Sequence, residues 1–283
     1  MSLPPQEAPI SLPSVVGLLP EHDLLLCDLW GVVHDGHQLN PNALSVFEAC
    51  KTNNVKIVLL SNAPRPSESV VEKLSVMGLV REAYDDIVTS GDVALSFSKT
   101  NFLHKKAYLL GDAHDRALID DGVSFQWVDD VCQADFVFAM GFAKGQQLKD
   151  FNEAFLTMKQ AGLAMICANA DKWVHVGHHL LPCAGLMAEA YQSLGGEVHM
   201  FGKPHDAVYD RSFALAACDH RTASVLVIGD NMETDIQGAV NIKATSVLVT
   251  SGVHRDAFAG GQEKSPIELF ASIRPDYMIE SLA

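Results

Sequence analysis

The chain has 283 residues, 48% hydrophobic and 19% charged, which is enough to build one large or two medium domains around a real core and excludes a disordered chain. A net charge of −15 argues against nucleic acid and anionic membranes as partners, and it means that any phosphorylated ligand would need cations placed in its site. Residues 1–7 lack the basic and apolar stretches of a signal peptide, no apolar run approaches the ~20 residues of a membrane span, and six scattered cysteines without a C-x-x-C read as buried, reduced thiols, so a cytoplasmic protein is expected.

The first element is an apolar run, residues 24–28, that reads as a buried strand and ends on Asp28. A helix is predicted from about Pro41, with Asn40 as its cap and Leu44, Phe47 and Cys50 on one face. A second strand, 55–60, ends at Ser61-Asn62, and a second helix carries Val70, Val71, Leu74 and Met77 before Gly78 stops it. Strand, helix, strand, helix with short loops predicts βαβ units and a parallel sheet. In the middle of the chain, 107–110, 136–140 and 164–168 read as strands, with helices over about 146–161 and 184–194. The opening rhythm returns late, with strands at 225–228 and 245–250 around a helix near 235–240. The fold class is therefore α/β: a Rossmann-like, doubly wound parallel sheet built from 12–90 and 199–283, with a second α/β domain, 91–198, inserted between its halves.

In open α/β sheets ligands bind at the carboxyl ends of the strands. Asp28 stands at such an end, and Lys203, Asp230 and Asp235 recur in comparable places downstream. Carboxylates buried near one another are costly without a compensating cation, so a divalent metal is expected, with Lys203 as a further fixed positive charge. Asp235 has an alternative role in the first turn of a helix, where acids favour the dipole, but its spacing from Asp230 favours the site. Gly202-Lys203 does not belong to a P-loop, because Glu197 stands where that motif needs glycine, and no G-x-G-x-x-G follows a strand. In the inserted domain Asn169-Ala170-Asp171 follows a strand. His175, His178 and His179 come next without the Cys or carboxylate spacing of a zinc site, and read as substrate contacts or surface residues. Trp173 can stack on a ring or pack in a core.

The motifs Asp28-Leu29-Trp30-Gly31-Val32, Leu60-Ser61-Asn62, Gly202-Lys203-Pro204 with Tyr209, and Gly229-Asp230-Asn231 with Thr234-Asp235 stand in the order found in the haloacid dehalogenase-like superfamily. The chain resembles its class IIA, NagD-type phosphatase branch over nearly its whole length. The resemblance implies that Asp28 is the nucleophile and forms an aspartyl-phosphate, that Ser61, with Asn62 beside it, binds the phosphoryl group, and that Lys203 pairs with both nucleophile and phosphate. It also implies Mg²⁺ held by Asp28, the Trp30 backbone carbonyl and Asp230, with Asp235 in or near the ligand sphere. Asn169 and Asp171 would begin the substrate-specificity loop. The implied substrate is a small phosphorylated metabolite such as a sugar, aryl or pyridoxal phosphate.

One departure bears on rate. The branch carries a second Asp two residues after the nucleophile as general acid, and here that position is Trp30, whose indole has no usable proton. Loss of a general acid costs ~10²–10⁴-fold, least for good leaving groups. His34, Asp35 or a residue of the inserted domain are the alternative donors, although Asp35-Gly36 is also a favoured tight-turn pair. Three readings stay open at this point: a Mg²⁺-dependent phosphatase, a turnover-deficient protein that binds a phosphorylated ligand in a regulatory role, and another enzyme type on the same scaffold. Oligomerisation stays open as well.

Overall fold

The computed structural model describes residues 9–119, 123, 125–176, 179–258 and 273–283. The chain divides into two compact units, Met1–Leu59 with Met77–Asp86 and Ser212–Ala283, and Leu60–Val76 with Ile87–Arg211. Among the described residues no helix is long and apolar enough to cross a membrane.

The amino-terminal elements follow the expected rhythm: β1 (Ile10–Ser11), β2 (Leu24–Asp28), α1 (Ala43–Thr52), β3 (Lys56–Ser61), α2 (Ser67–Val76) and β4 (Asp86–Thr89). α1 starts two residues later than Pro41. Asn40 accepts the Asn42 N–H on its side chain at 2.9 Å and so shapes a lead-in turn instead of capping the helix directly. The inserted stretch carries α3 (Ser90–Asn101), β5 (Lys106–Leu110), α4 (Ala113–Ala117), β6 (Gln126–Val128), β7 (Phe136–Ala139), α5 (Asn152–Ala161), β8 (Ala164–Cys167), β9 (Trp173–Val176), β10 (His179–Pro182), α6 (Ala184–Ser193) and β11 (Val198–Met200). The chain closes with α7 (Asp206–Ala216), β12 (Val225–Gly229), α8 (Gln237–Ile242), β13 (Thr245–Val249), α9 (Arg255–Phe258) and β14 (Tyr277–Ile279). The helix expected at 235–240 is a π-helical turn, Met232–Ile236, running into α8.

A seven-stranded sheet has the order β1-β14-β13-β12-β2-β3-β4. β12 runs parallel to both β2 and β13, and β14 parallel to β13 and β1. β2 and β12 are buried at every position, which is why both read as unbroken apolar runs rather than alternating ones. From β2 the chain winds outward through β3 and β4 on one side, then returns to fill the other side with β12, β13 and β14. The order therefore reverses between β2 and β12, the place where a doubly wound sheet opens a crevice at its strand ends.

The second unit holds a five-stranded parallel sheet, β11-β8-β7-β5-β6. Its strands alternate with period two between two apolar layers. Val137, Ala139, Met165 and Cys167 pack with Phe155, Met158, Met187 and Tyr191 of α5 and α6. Phe136, Phe138, Ile166 and Ala168 face the other way, with Ala94 and Leu95 of α3. Both faces are covered, so β7 and β8 are apolar throughout. An antiparallel hairpin, β9–β10, also belongs to this unit. Residues 177 and 178, His178 among them, lie outside the described residues.

Candidate active site

In the first unit the sheet topology sets the site. Ile228 pairs with Cys27 in register, so Asp28 and Gly229 end neighbouring strands and Asp230 follows at once. Asp235 comes from the π-helical turn. One carboxylate oxygen from each of Asp28, Asp230 and Asp235 lies within 4.8 Å of the others, and the three side chains are only 7%, 6% and 2% exposed. Asp230 Oδ2 accepts the Val253 N–H at 2.7 Å, and Asp235 Oδ2 accepts the Asn231 N–H at 3.1 Å. Three buried carboxylates with oxygen donors only are a fit for a hard divalent cation, and without one their mutual repulsion and desolvation would oppose folding.

Glycines make room for these acids. A Cβ on Gly31 would lie 2.0 Å from Asp230 Oδ2, and Gly31 has φ +83, so glycine is required there twice over. A Cβ on Gly252 would lie 2.1 Å from the same oxygen, and one on Gly229 would strike the Asp235 side chain. The roles of Gly252 and Val253 were not legible in the sequence. The only signal was that the strand before them ends in polar residues.

The loop after β2 explains Trp30, His34 and Asp35. Trp30 is half-buried and meets His34 edge-on, with ring centroids 5.2 Å apart, and Gly36 packs so tightly on the indole that a Cβ would come within 2.6 Å of it. His34 is buried, and its Nδ1 accepts the Gly36 N–H at 3.0 Å. Asp35 is exposed. Its Oδ1 accepts the N–H groups of His37 and Gln38 at 2.8 and 2.9 Å, and the Gln38 and His37 amides hold its carboxyl below the ordinary value of 3.8. The Asp35-Gly36 pair thus closes a turn, with an ionised carboxylate.

The second unit assembles the other expected residues. Ser61 ends β3, and its Oγ accepts the Ala63 N–H at 3.2 Å. Lys203 is 3% exposed, in the loop between β11 and α7, and precedes a cis proline. Asn62 Oδ1 accepts the Lys203 N–H at 2.7 Å, while Asn62 Nδ2 donates to the Lys203 carbonyl at 3.2 Å and to Asp171 Oδ1 at 3.0 Å. Asn169 Oδ1 accepts the Asp171 N–H at 2.9 Å. Ser90, which the sequence did not single out, donates to the carbonyls of Ala63 and Ala168 and ties the segments after β3 and β8 together. Trp173 is exposed on β9, and His175 and His179 lie on paired strands of the hairpin.

Burial pushes Cys50, Cys167 and Cys183 up to about 12, far from a nucleophile's range.

A parallel sheet with three buried carboxylates at its switch point defines an α/β fold whose strand ends could hold a divalent cation. The chain belongs to the haloacid dehalogenase-like hydrolases, in the NagD-type branch: a family model described as haloacid dehalogenase-like hydrolase matches residues 25–122, and a second, HAD-hydrolase-like, matches 200–283. The chain is 29% identical over 235 residues to a D-glycerol 3-phosphate phosphatase of Mycobacterium tuberculosis, an alignment that covers 83% of this chain and 64% of that protein. The chain therefore spans less than two thirds of that relative's length. A haloacid dehalogenase-like hydrolase from Brucella suis superposes with a TM-score of 0.83 at 28% identity, covering 96% of this chain and 100% of that one. A glycerol phosphate phosphatase from Mycobacterium tuberculosis in complex with magnesium gives 0.68 at 26% identity, covering 94% and 77%.

Proposed function

We propose that the protein is a Mg²⁺-dependent phosphatase of small phosphorylated metabolites, a sugar, glycerol or aryl phosphate, working through an aspartyl-phosphate on Asp28. The observation that carries this reading is the buried trio Asp28, Asp230 and Asp235 at the switch point of the sheet. Relatives named for glycerol phosphate, sugar phosphates and 4-nitrophenyl phosphate support the substrate class.

In this reading Asp28, Asp230, Asp235 and the Trp30 carbonyl hold Mg²⁺, which supplies positive charge to a phosphoryl transition state. An Asp28 oxygen attacks phosphorus, the P–O bond to the alcohol breaks, and water then cleaves the acyl phosphate to release phosphate and regenerate the carboxylate. Ser61, beside Asn62, hydrogen-bonds a phosphoryl oxygen, and Lys203 keeps Asp28 ionised and neutralises the phosphate. Asn169 and Asp171 contribute to recognition of the substrate. Residues 91–198 act as the cap domain of a core made of 12–90 and 199–283. The compact units instead place 60–76, 87–90 and 199–211 with the cap, but that boundary cuts through β3 and β4, whereas functional boundaries fall in connecting segments. A cytoplasmic location belongs to the same reading.

The test is phosphate release from 4-nitrophenyl phosphate with and without Mg²⁺, alongside a calorimetric Mg²⁺ titration. Turnover should need the metal, and Asp230→Asn should weaken metal binding. Metal-independent turnover, or an unchanged Mg²⁺ affinity in Asp230→Asn, would refute the assignment.

A further inference from the structure

Asn62 has both ends of its amide on one residue. Its Oδ1 accepts the Lys203 N–H and its Nδ2 donates to the Lys203 carbonyl, at 2.7 and 3.2 Å, so the side chain pairs with the backbone of that residue as a neighbouring strand would. The second Nδ2 proton goes to Asp171 Oδ1 at 3.0 Å. A primary amide has two N–H donors, and both are thus committed within the protein. Asp171, an acceptor when ionised, also fixes the direction of the amide: Nδ2 must face it, which turns Oδ1 toward the Lys203 N–H.

The surroundings are built for this clamp. Gly202 has φ +109, and a Cβ there would lie 2.5 Å from Asn62 Oδ1. Asp171 is itself held at both ends. Its N–H donates to Asn169 Oδ1, and its carbonyl accepts the Gly185 N–H of α6 at 3.0 Å, where a Cβ on Gly185 would collide with the carbonyls of Ala170 and Asp171. Asn62 is 4% and Lys203 3% exposed, so water does not compete for these bonds.

We infer that Asn62 is a positioning residue for Lys203 and not a phosphate ligand through its side chain, and that Asp171 sets the orientation of that clamp from the loop after β8. The inference rests on the phosphatase reading only in taking Lys203 as the phosphate's cation. It makes the 169–171 turn a coupling element: a change there reaches the phosphate through Lys203, two residues away in the hydrogen-bond chain.

The experiment is a double-mutant cycle of Asn62→Ala and Lys203→Arg, read as the affinity for inorganic phosphate at saturating Mg²⁺ and as kcat/KM for 4-nitrophenyl phosphate. Asn62→Ala alone should cost about tenfold, the worth of one to two peptide hydrogen bonds. In the Lys203→Arg background, where the cation is already displaced, it should cost less than about threefold. Losses that multiply in full would place Asn62 on the phosphate itself and overturn the inference. Acetylation of Lys203, followed by mass spectrometry, gives a readout independent of activity. It should be several-fold faster in Asn62→Ala while the surface lysines are unchanged, and an unchanged rate overturns the inference. Should alanine fail to fold, Asn62→Asp keeps the shape and removes both donors. It should match the tenfold loss, and wild-type behaviour would again overturn the clamp. Wild-type protein that neither binds phosphate nor hydrolyses the ester would defeat the phosphatase reading, whereas the acetylation rates would still judge the clamp.

Discussion

Gly252→Ala is the sharpest test of how the carboxylate cluster is held. The added Cβ would lie 2.1 Å from Asp230 Oδ2 and 2.2 Å from its Cβ, where ordinary contact begins at 3.4 Å, so one partner must move by about 1.3 Å. Asp230 has little freedom to give way. It is 6% exposed, and its Oδ2 accepts the N–H of Val253, the residue next to the substitution. Moving the carboxylate breaks this charge-assisted bond, worth about 1.5–3 kcal/mol. Mg²⁺ demands near-octahedral geometry at short distances, and a 1 Å misplacement at a catalytic centre can cost ~10²-fold. We therefore expect Gly252→Ala to lose about 2 kcal/mol in urea unfolding and ~10²-fold in Mg²⁺ affinity by calorimetric titration. Gly17→Ala is the control, because nothing lies within 4 Å of a Cβ there. Gly252→Ala with Mg²⁺ affinity within about twofold of wild type would refute the reasoning, because the carboxylate would then have room that the packing denies it. Gly31 makes an equally close approach, but its φ of +83 would add backbone strain and blur the result.

Asp28→Asn should keep the fold and lose turnover by on the order of 10³-fold or more, and single-turnover phosphate release near the wild-type rate would rule out the nucleophile. If the phosphatase reading holds and Trp30 stands where the resemblance expects the general acid, log kcat/KM should fall steeply as the leaving-group pKa rises, and Trp30→Asp should recover alkyl phosphate hydrolysis if the cavity beside His34 and Gly36 is tolerated. A flat leaving-group dependence would show that another residue already donates the proton. Burial raises Cys50 from 9.0 to about 12, so the folded state keeps a proton that the unfolded chain releases. That thiol contributes stability that is complete below pH 9.0 and is lost as pH rises toward 12. Between pH 8 and 10, urea unfolding of Cys50→Ala should lose about 1 kcal/mol less stability than wild type, and an equal loss would contradict the shift.

The elements most legible in the sequence were those whose burial leaves no choice of pattern. β2, β7, β8 and β12 are covered on both faces, so continuous apolar runs marked them to within a residue. The β9–β10 hairpin escaped notice because it carries exposed residues, Trp173, Leu180 and Leu181, in no regular alternation. The start of α1 slipped because Asn40 bonds a backbone N–H before the helix proper begins. The turn at Asp35-Gly36 was one of two readings of that pair, and only the two amides donated to Asp35 show that the turn formed.

Local order along the chain was enough to determine where acids could stand, since a carboxylate that ends a buried strand must lie at the sheet's edge in a crevice or be compensated. That alone singled out Asp28 and Asp230, and comparable places downstream, with the spacing from Asp230, singled out Lys203 and Asp235. What it could not determine was which groups meet. The approach of Asp230 to Gly31 and Gly252, and the clamp of Asn62 on Lys203 with Asp171 behind it, join residues up to more than a hundred positions apart. Such pairings are decided by strand order and register, because hydrogen bonds and close packing depend on distances of a few ångströms that no local pattern encodes.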